Sequence, residues 1–217
     1  MADITLYLGN RNYSSWSLRA WLAMKRTGAE FDEVVIPLRA PDSRQEILRH
    51  SPSGKVPVLD HKGTVVWDSL AIAEFLAETY PDANLWPADP SQRAAARAVC
   101  CEMHSGFMDL RRSMPMNMRS QFPGREITPE TQGDINRITA IWRDCRKKYG
   151  SGGDFLFGAF TIADAFFAPV ASRFKTYGIE LEETPRAYTD MILALPEVRA
   201  WAEAARNEPW VVEDFEF

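Results

Sequence analysis

Residues 56–80 read VPVLDHKGTVVWDSLAIAEFLAETY. Two short apolar runs, VPVLD (56–60) and TVVW (64–67), flank a connection containing Lys62 and Gly63, the pattern of a β-hairpin. Asp68 or Ser69 can then cap a helix, along which Ile72, Phe75, Leu76 and Tyr80 form one apolar stripe. Such a stripe needs a sheet to lie on, and the residues before it supply one. ITLYLG (4–9) has the β-branched and aromatic content of a buried strand, with Gly9 and Asn10 at its end. Leu18, Trp21 and Leu22 recur at helical spacing up to Gly28, EVVIPL (33–38) reads as a second strand, and PDSRQEILRH (41–50) as a weak helix. The first eighty residues therefore spell β-α-β-α-β-β-α.

PDANLWPADP (81–90) holds three prolines and no usable period, which marks an ordered linker. Beyond it, the stretches 91–113, 130–150 and 162–178 are helical in pattern, and strand signals almost vanish. The expected organisation is a domain at 1–80, a linker at 81–90 and an all-helical domain at 91–217. In FTIADAFFAPV (160–170), Thr161 and Asp164 have capping-box spacing with Phe160 in the staple position, so helix initiation explains the pair better than acid catalysis does.

The 217 residues are 46% hydrophobic, enough for a substantial core, and carry 25 Lys plus Arg against 30 Asp plus Glu, a net charge of −5. No basic run could track a phosphate backbone, so nucleic acid is not an expected partner. No leader-like basic and apolar segment opens the chain, and no stretch of about 18 apolar residues occurs; a cytoplasmic protein without membrane spans is expected. Cys100, Cys101 and Cys145 lack zinc or dithiol spacing, so they read as buried structural thiols and no metal is expected.

Three places could carry chemistry. In NYSSWSLRAWLAM (12–24), Ser14, Ser15 and Ser17 surround Trp16 at a helix start, where free N–H groups and the positive dipole end converge. One of them can simply cap the helix; alternatively, a hydroxyl can donate to a thiolate held there. A hydrolytic serine is disfavoured, because there is no G-x-S-x-G elbow and no motif places His50, His61 or His104. In SGKVPVLD (53–60), Pro57 opens a strand although it cannot donate to a ladder; a cis Val56–Pro57 bond would explain it and leave the Val56 main chain to a peptide-like ligand. In WDSLAI (67–72), Asp68 and Ser69 are either caps or a site for the ammonium and carboxylate of an amino acid.

SSWS, GKVPVLD, DSLAIAEFLAETYP and FTIADAFFAPV together resemble the glutathione transferase superfamily in order and separation, over essentially the whole chain. The resemblance implies an α/β thioredoxin-like N-terminal domain plus an all-α C-terminal helical bundle. It also implies a homodimer with glutathione as co-substrate, whose serine-stabilised thiolate attacks a small hydrophobic electrophile. By the same resemblance Ser14 donates to the glutathione sulfur and Ser15 assists. Val56, ahead of Pro57, pairs with the cysteinyl backbone, Asp68 and Ser69 hold the γ-glutamyl end, and Lys55 approaches the glycine carboxylate. The serine motif looks most like the zeta class, including maleylacetoacetate isomerases, which carry Ser-Ser-Cys-Ser. Trp16 stands where those isomerases have cysteine, and Arg111 or Arg112 about where they have a helix-four glutamine, so isomerase turnover is expected to be weak or absent. Trp16 either walls the electrophile pocket or packs between domains, and Arg111 and Arg112 either steer an anionic substrate or lie on a solvated face. Met103, Met114, Met116 and Met118 suggest an adaptable apolar surface on the first helix of the second domain. The rival functions are a zeta-like isomerase and a non-catalytic binding protein of the same fold.

Overall fold

Ile4, Leu6 and Leu8 are buried on one side of strand β1 (Ile4–Leu8), the alternation expected of a strand with one face on a core. The computed structural model describes residues 3–217, so the first two residues of the expected first domain lie outside it. Helix α1 (Ser15–Arg26) follows β1, then β2 (Asp32–Val35) and the short α2 (Ser43–Leu48). The expected hairpin is β3 (Val58–His61) and β4 (Thr64–Trp67), and its helix is α3 (Ser69–Thr79). The sheet order is β2-β1-β3-β4, with β1 parallel to β2 and antiparallel to β3, and β3 antiparallel to β4. Lys62 and Gly63 both have positive φ, 54° and 85°, which is what a two-residue hairpin turn of matching twist requires.

After a 3₁₀ turn at Pro81–Ala83 the chain is helical: α4 (Pro90–Ser105), α5 (Met108–Ser113), α6 (Pro129–Tyr149), α7 (Ile162–Thr176), α8 (Glu183–Ala194) and α9 (Pro196–Arg206). The pattern at 91–113 had suggested one continuous helix. It breaks at Gly106 and Phe107, the latter left-handed at φ 61°, and this re-aims α5.

Helix α7 is buried along nearly its whole length, its charged Asp164 and Arg173 included, because it packs against α1, α4 and α8. One hydrophobic core therefore runs from Leu6 and Leu22 through Phe166 to Trp142 and Trp201. The capping box forms as expected: Asp164 accepts from the Thr161 N–H at 2.8 Å, and Thr161 Oγ1 accepts from the Ala163 N–H at 3.3 Å. Asp164 also accepts from the Leu156 N–H at 3.1 Å and the Tyr188 hydroxyl at 3.0 Å. Burial raises its carboxyl to about 6 despite these donors.

Two readings are corrected. Cys100 and Cys145 are buried, but Cys101 is exposed, since neighbours on a helix project to different faces. Met103, Met114 and Met116 are core residues, and the last two lie beyond α4, so they do not form an adaptable surface on that helix.

Candidate functional site

The antiparallel register decides which loops meet. Tyr7, near the end of β1, pairs with Val58 at the start of β3, and Val58 pairs with Trp67 at the end of β4. The chain leaving β1 toward Ser14, the chain entering β3 through Val56, and the chain leaving β4 into Asp68 and Ser69 thus share one end of the sheet.

Within that cluster the serines differ. Ser14 is the N-cap of α1: its Oγ accepts from the Ser17 N–H at 3.3 Å and donates to Ser17 Oγ at 2.8 Å. Ser17 Oγ in turn accepts from the Gly9 N–H at 2.9 Å. Gly9 permits this approach, since a Cβ there would lie 3.1 Å from Ser14 Cβ and 2.7 Å from Leu38 Cδ1. Ser15, in the first turn, has no hydrogen-bond partner for its hydroxyl within the described residues.

The Val56–Pro57 bond is cis, and Val56 precedes the β3 ladder. Asp68 caps α3 at φ 75°, a backbone region that L residues seldom adopt outside constrained sites. Its carboxylate accepts from the Leu70 N–H at 2.8 Å, and its other oxygen lies 3.4 Å from His104 Nε2. Ser69 is buried and its Oγ has no partner among the described residues. Lys55 is exposed at the edge of the cluster.

Trp16 faces the helical domain. The His104 ring meets it edge-on at 5.1 Å, and the guanidinium groups of Arg19 and Arg111 lie 4.5 and 5.0 Å from its centroid. Arg111 also donates to the Gly106 carbonyl at 3.0 Å and to the Met103 carbonyl, whereas Arg112 is solvent-exposed and faces no site. Arg19 is 0% exposed and all three of its guanidinium nitrogens lack hydrogen-bond partners; it stacks on Trp16 and on Phe166 at 4.8 Å. Burial, with the neighbouring charges of Arg111 and Arg173, holds Arg19 well below the usual arginine range. Arg173 is buried too, bonded only to the Met114 and Pro169 carbonyls, and burial followed by Arg111 lowers it to about 9. Arg19 and Arg111 thus lie against Trp16, with Asp68 the nearby acidic group for the first and Asp134 for the second.

Sequence reasoning missed Arg19, Arg173 and His104. A lone charge inside the apolar SLRAWLAM face was the available signal for Arg19; His104 had none. Burial, then Arg19 and Arg111, lower the His104 imidazole against the opposing pull of Asp68. Among the described residues no group of His, Cys, Asp and Glu could hold a metal ion, and no helix is long and apolar enough to cross a membrane. A cavity of about 1350 Å³ lies elsewhere, between the end of α7, α8, α9 and residues 118–121, and none of the expected site residues lines it.

A four-stranded mixed sheet with a cis-proline loop, joined to a helical bundle, defines a two-domain protein of the thioredoxin-plus-bundle type. Residues 13–79 match the family model of the glutathione S-transferase N-terminal domain and residues 128–204 that of its C-terminal domain. The chain belongs to the glutathione S-transferase family. It is 29% identical over 184 residues to a probable maleylacetoacetate isomerase of Caenorhabditis elegans, covering 83% of each chain. It is 29% identical over 187 residues to the maleylacetoacetate isomerase of Rattus norvegicus, covering 83% of this chain and 82% of that one. A solved glutathione transferase homologue from Burkholderia gl BGR1 with bound glutathione superposes with a TM-score of 0.70 at 26% identity, covering 94% of this chain and 98% of that one. Maleylacetoacetate isomerases, the zeta class, are thus among its relatives, and the chain lies near that class.

Proposed function

We propose that this chain binds glutathione at the shared end of the sheet and uses serine hydroxyls to hold its sulfur as a thiolate, which attacks a small hydrophobic electrophile. The observation that carries the reading is the buried, unpartnered Ser69 hydroxyl at the sheet end it shares with Val56 and with the α1 start, where Ser15 lies in the first turn. Ser69 Oγ is a buried polar atom with no partner, and a γ-glutamyl group beside it would supply one. Asp68 offers a carboxylate to the ammonium, Val56 an unladdered N–H and C=O to the cysteinyl backbone, and Lys55 a cation to the glycine carboxylate. At the α1 N-terminus the positive dipole end favours thiolate over a thiol whose ordinary pKa is about 8.5. In this arrangement Ser15 is the principal donor to sulfur and Ser14 fixes the turn that presents it.

Trp16 walls the electrophile side, its ring held by the guanidinium groups of Arg19 and Arg111. Retention on immobilised glutathione, with conjugation of a generic aryl halide, tests the proposal; no binding at millimolar glutathione would sink it and favour the non-catalytic binding protein.

The isomerase reading is favoured by the names of the two relatives and opposed by Trp16 in place of cysteine. Weak or no turnover of maleylacetone is expected, and turnover comparable to a dedicated isomerase would reverse the order of the two readings.

We also place the chain in the cytoplasm as a homodimer. On the edge strand β4, Val65 and Trp67 face the same way and are 40% and 44% exposed, apolar area that a second copy would cover. Trp67→Glu is expected to shift the sedimentation equilibrium from dimer to monomer, and an unchanged dimer would place the contact elsewhere.

A further inference from the structure

We infer that the segment 208–217 positions the serine pair, acting through Tyr13, with Glu216 as its decisive residue. The inference rests on the glutathione reading above.

Tyr13 immediately precedes Ser14 and is 6% exposed. Its hydroxyl donates to Glu216 Oε1 at 2.6 Å and accepts from Arg119 Nη2 at 2.9 Å and the Val212 N–H at 3.2 Å. The other Glu216 oxygen accepts from Ser120 Oγ at 2.8 Å. The Phe215 ring lies 5.8 Å from Tyr13, and its carbonyl accepts from Asn117 Nδ2 at 3.1 Å. Glu208 accepts from the Arg11 and Asn12 N–H groups at 2.8 and 3.2 Å, and Arg119 donates to the Glu208 and Trp210 carbonyls, both at 3.0 Å.

Within the loop the Tyr13 and Ser14 N–H groups share the Asn10 carbonyl at 3.2 and 2.8 Å, the Ser15 N–H donates to the Tyr13 carbonyl at 3.1 Å, and Ser14 Oγ caps the helix on Ser17. The remaining constraints on residues 11–13 come largely from residues nearly two hundred positions away and from the 117–120 turn. A segment that only covered apolar surface would need its phenyl rings and no more. Here the contact converges on one hydroxyl, adjacent in sequence to the proposed thiolate donors. Although burial opposes it, hydrogen bonds from Tyr13, Ser120 and Asn117 and the charge of Arg119 keep Glu216 below the usual carboxylate range, so it stays an anionic acceptor. A displacement of about 1 Å at a reacting group can cost about a hundredfold in rate, so a loop fixed this way bears on catalysis as well as on folding.

The test measures the thiolate absorbance of bound glutathione against pH, together with kcat and KM, in Glu216→Ala, Tyr13→Phe and the double variant. Tyr13→Phe keeps the ring on Phe215 and removes only the hydroxyl. Each single change is expected to raise the bound thiol pKa by about one unit and lower kcat about tenfold, with little change in KM for glutathione. The double variant should be no worse than either single one, because both remove the same link. Glu216→Gln, which keeps an acceptor, should recover most of the loss. Variants that lower the thermal midpoint but leave thiol pKa and kcat at the parent values would overturn the inference. Failure of the parent chain to bind glutathione would overturn the proposed function, and this inference with it.

Discussion

Ser15→Ala is expected to lower kcat/KM for aryl halide conjugation by about a hundredfold, the usual loss when one donor to a developing or held anion is removed. Ser14→Ala is expected to cost about 1 kcal/mol of stability through the lost cap, with a smaller effect on rate. The asymmetry follows from hydrogen bonding: Ser14 Oγ already serves Ser17 in both directions, whereas Ser15 Oγ serves nothing in the protein. Kinetics and thermal melts of the two variants decide between them. If Ser14→Ala abolished conjugation while Ser15→Ala kept it, Ser14 would hold the sulfur, as the family resemblance first implied.

Asp164→Ala is expected to destabilise the chain by about 3–5 kcal/mol, read from urea denaturation. Its carboxylate satisfies the buried Leu156 and Thr161 N–H groups and the Tyr188 hydroxyl, and each donor left orphaned costs about 1–3 kcal/mol, partly recovered by relaxation. The network joins the start of α7, the 155–160 turns and α8, so the loss falls at the centre of the bundle. The pH dependence has a definite sign. Burial raises the folded carboxyl to about 6, above the ordinary value of 3.8, so the folded state binds this proton more tightly than the unfolded one. The stability it contributes is complete below about pH 4 and is lost as pH rises through about 6. Relative to Asp164→Asn, the parent chain should therefore gain stability as pH falls from 7 to 4; a flat difference would mean that Asp164 does not titrate in that window.

The hairpin and helix at 56–80, the serine-rich start of α1 and the Thr161–Asp164 box were legible because each depends on residues a few positions apart. So was the change from strands to helices near the 81–90 segment. The break at Phe107 was not, since a left-handed phenylalanine carries no local signal beyond the preceding glycine. Neither was the division of the adjacent Cys100 and Cys101 between core and solvent, which depends on where α4 lies on α7.

At the site, residue types and spacing were enough to nominate Ser14, Ser15, Val56, Asp68 and Ser69. The Ser14–Ser17 cap has ordinary N-cap spacing, but the approach of the Gly9 N–H to Ser17 Oγ and the burial of the unpartnered Ser69 hydroxyl could not be read from spacing, because they depend on the turn after β1 and on how α3 is packed. Arg19, Arg173 and His104 reach Trp16 or one another only because α1 and α4 both pack on α7. Glu216 meets Tyr13 across 203 positions, with no pattern linking them. Caps, turns and amphipathic faces come from backbone geometry within about one helical turn or hairpin, so neighbours in sequence encode them. The proposed thiolate cradle and its proposed C-terminal support depend on side chains converging across the sheet end and between domains, and that convergence exists only once the shared core has formed.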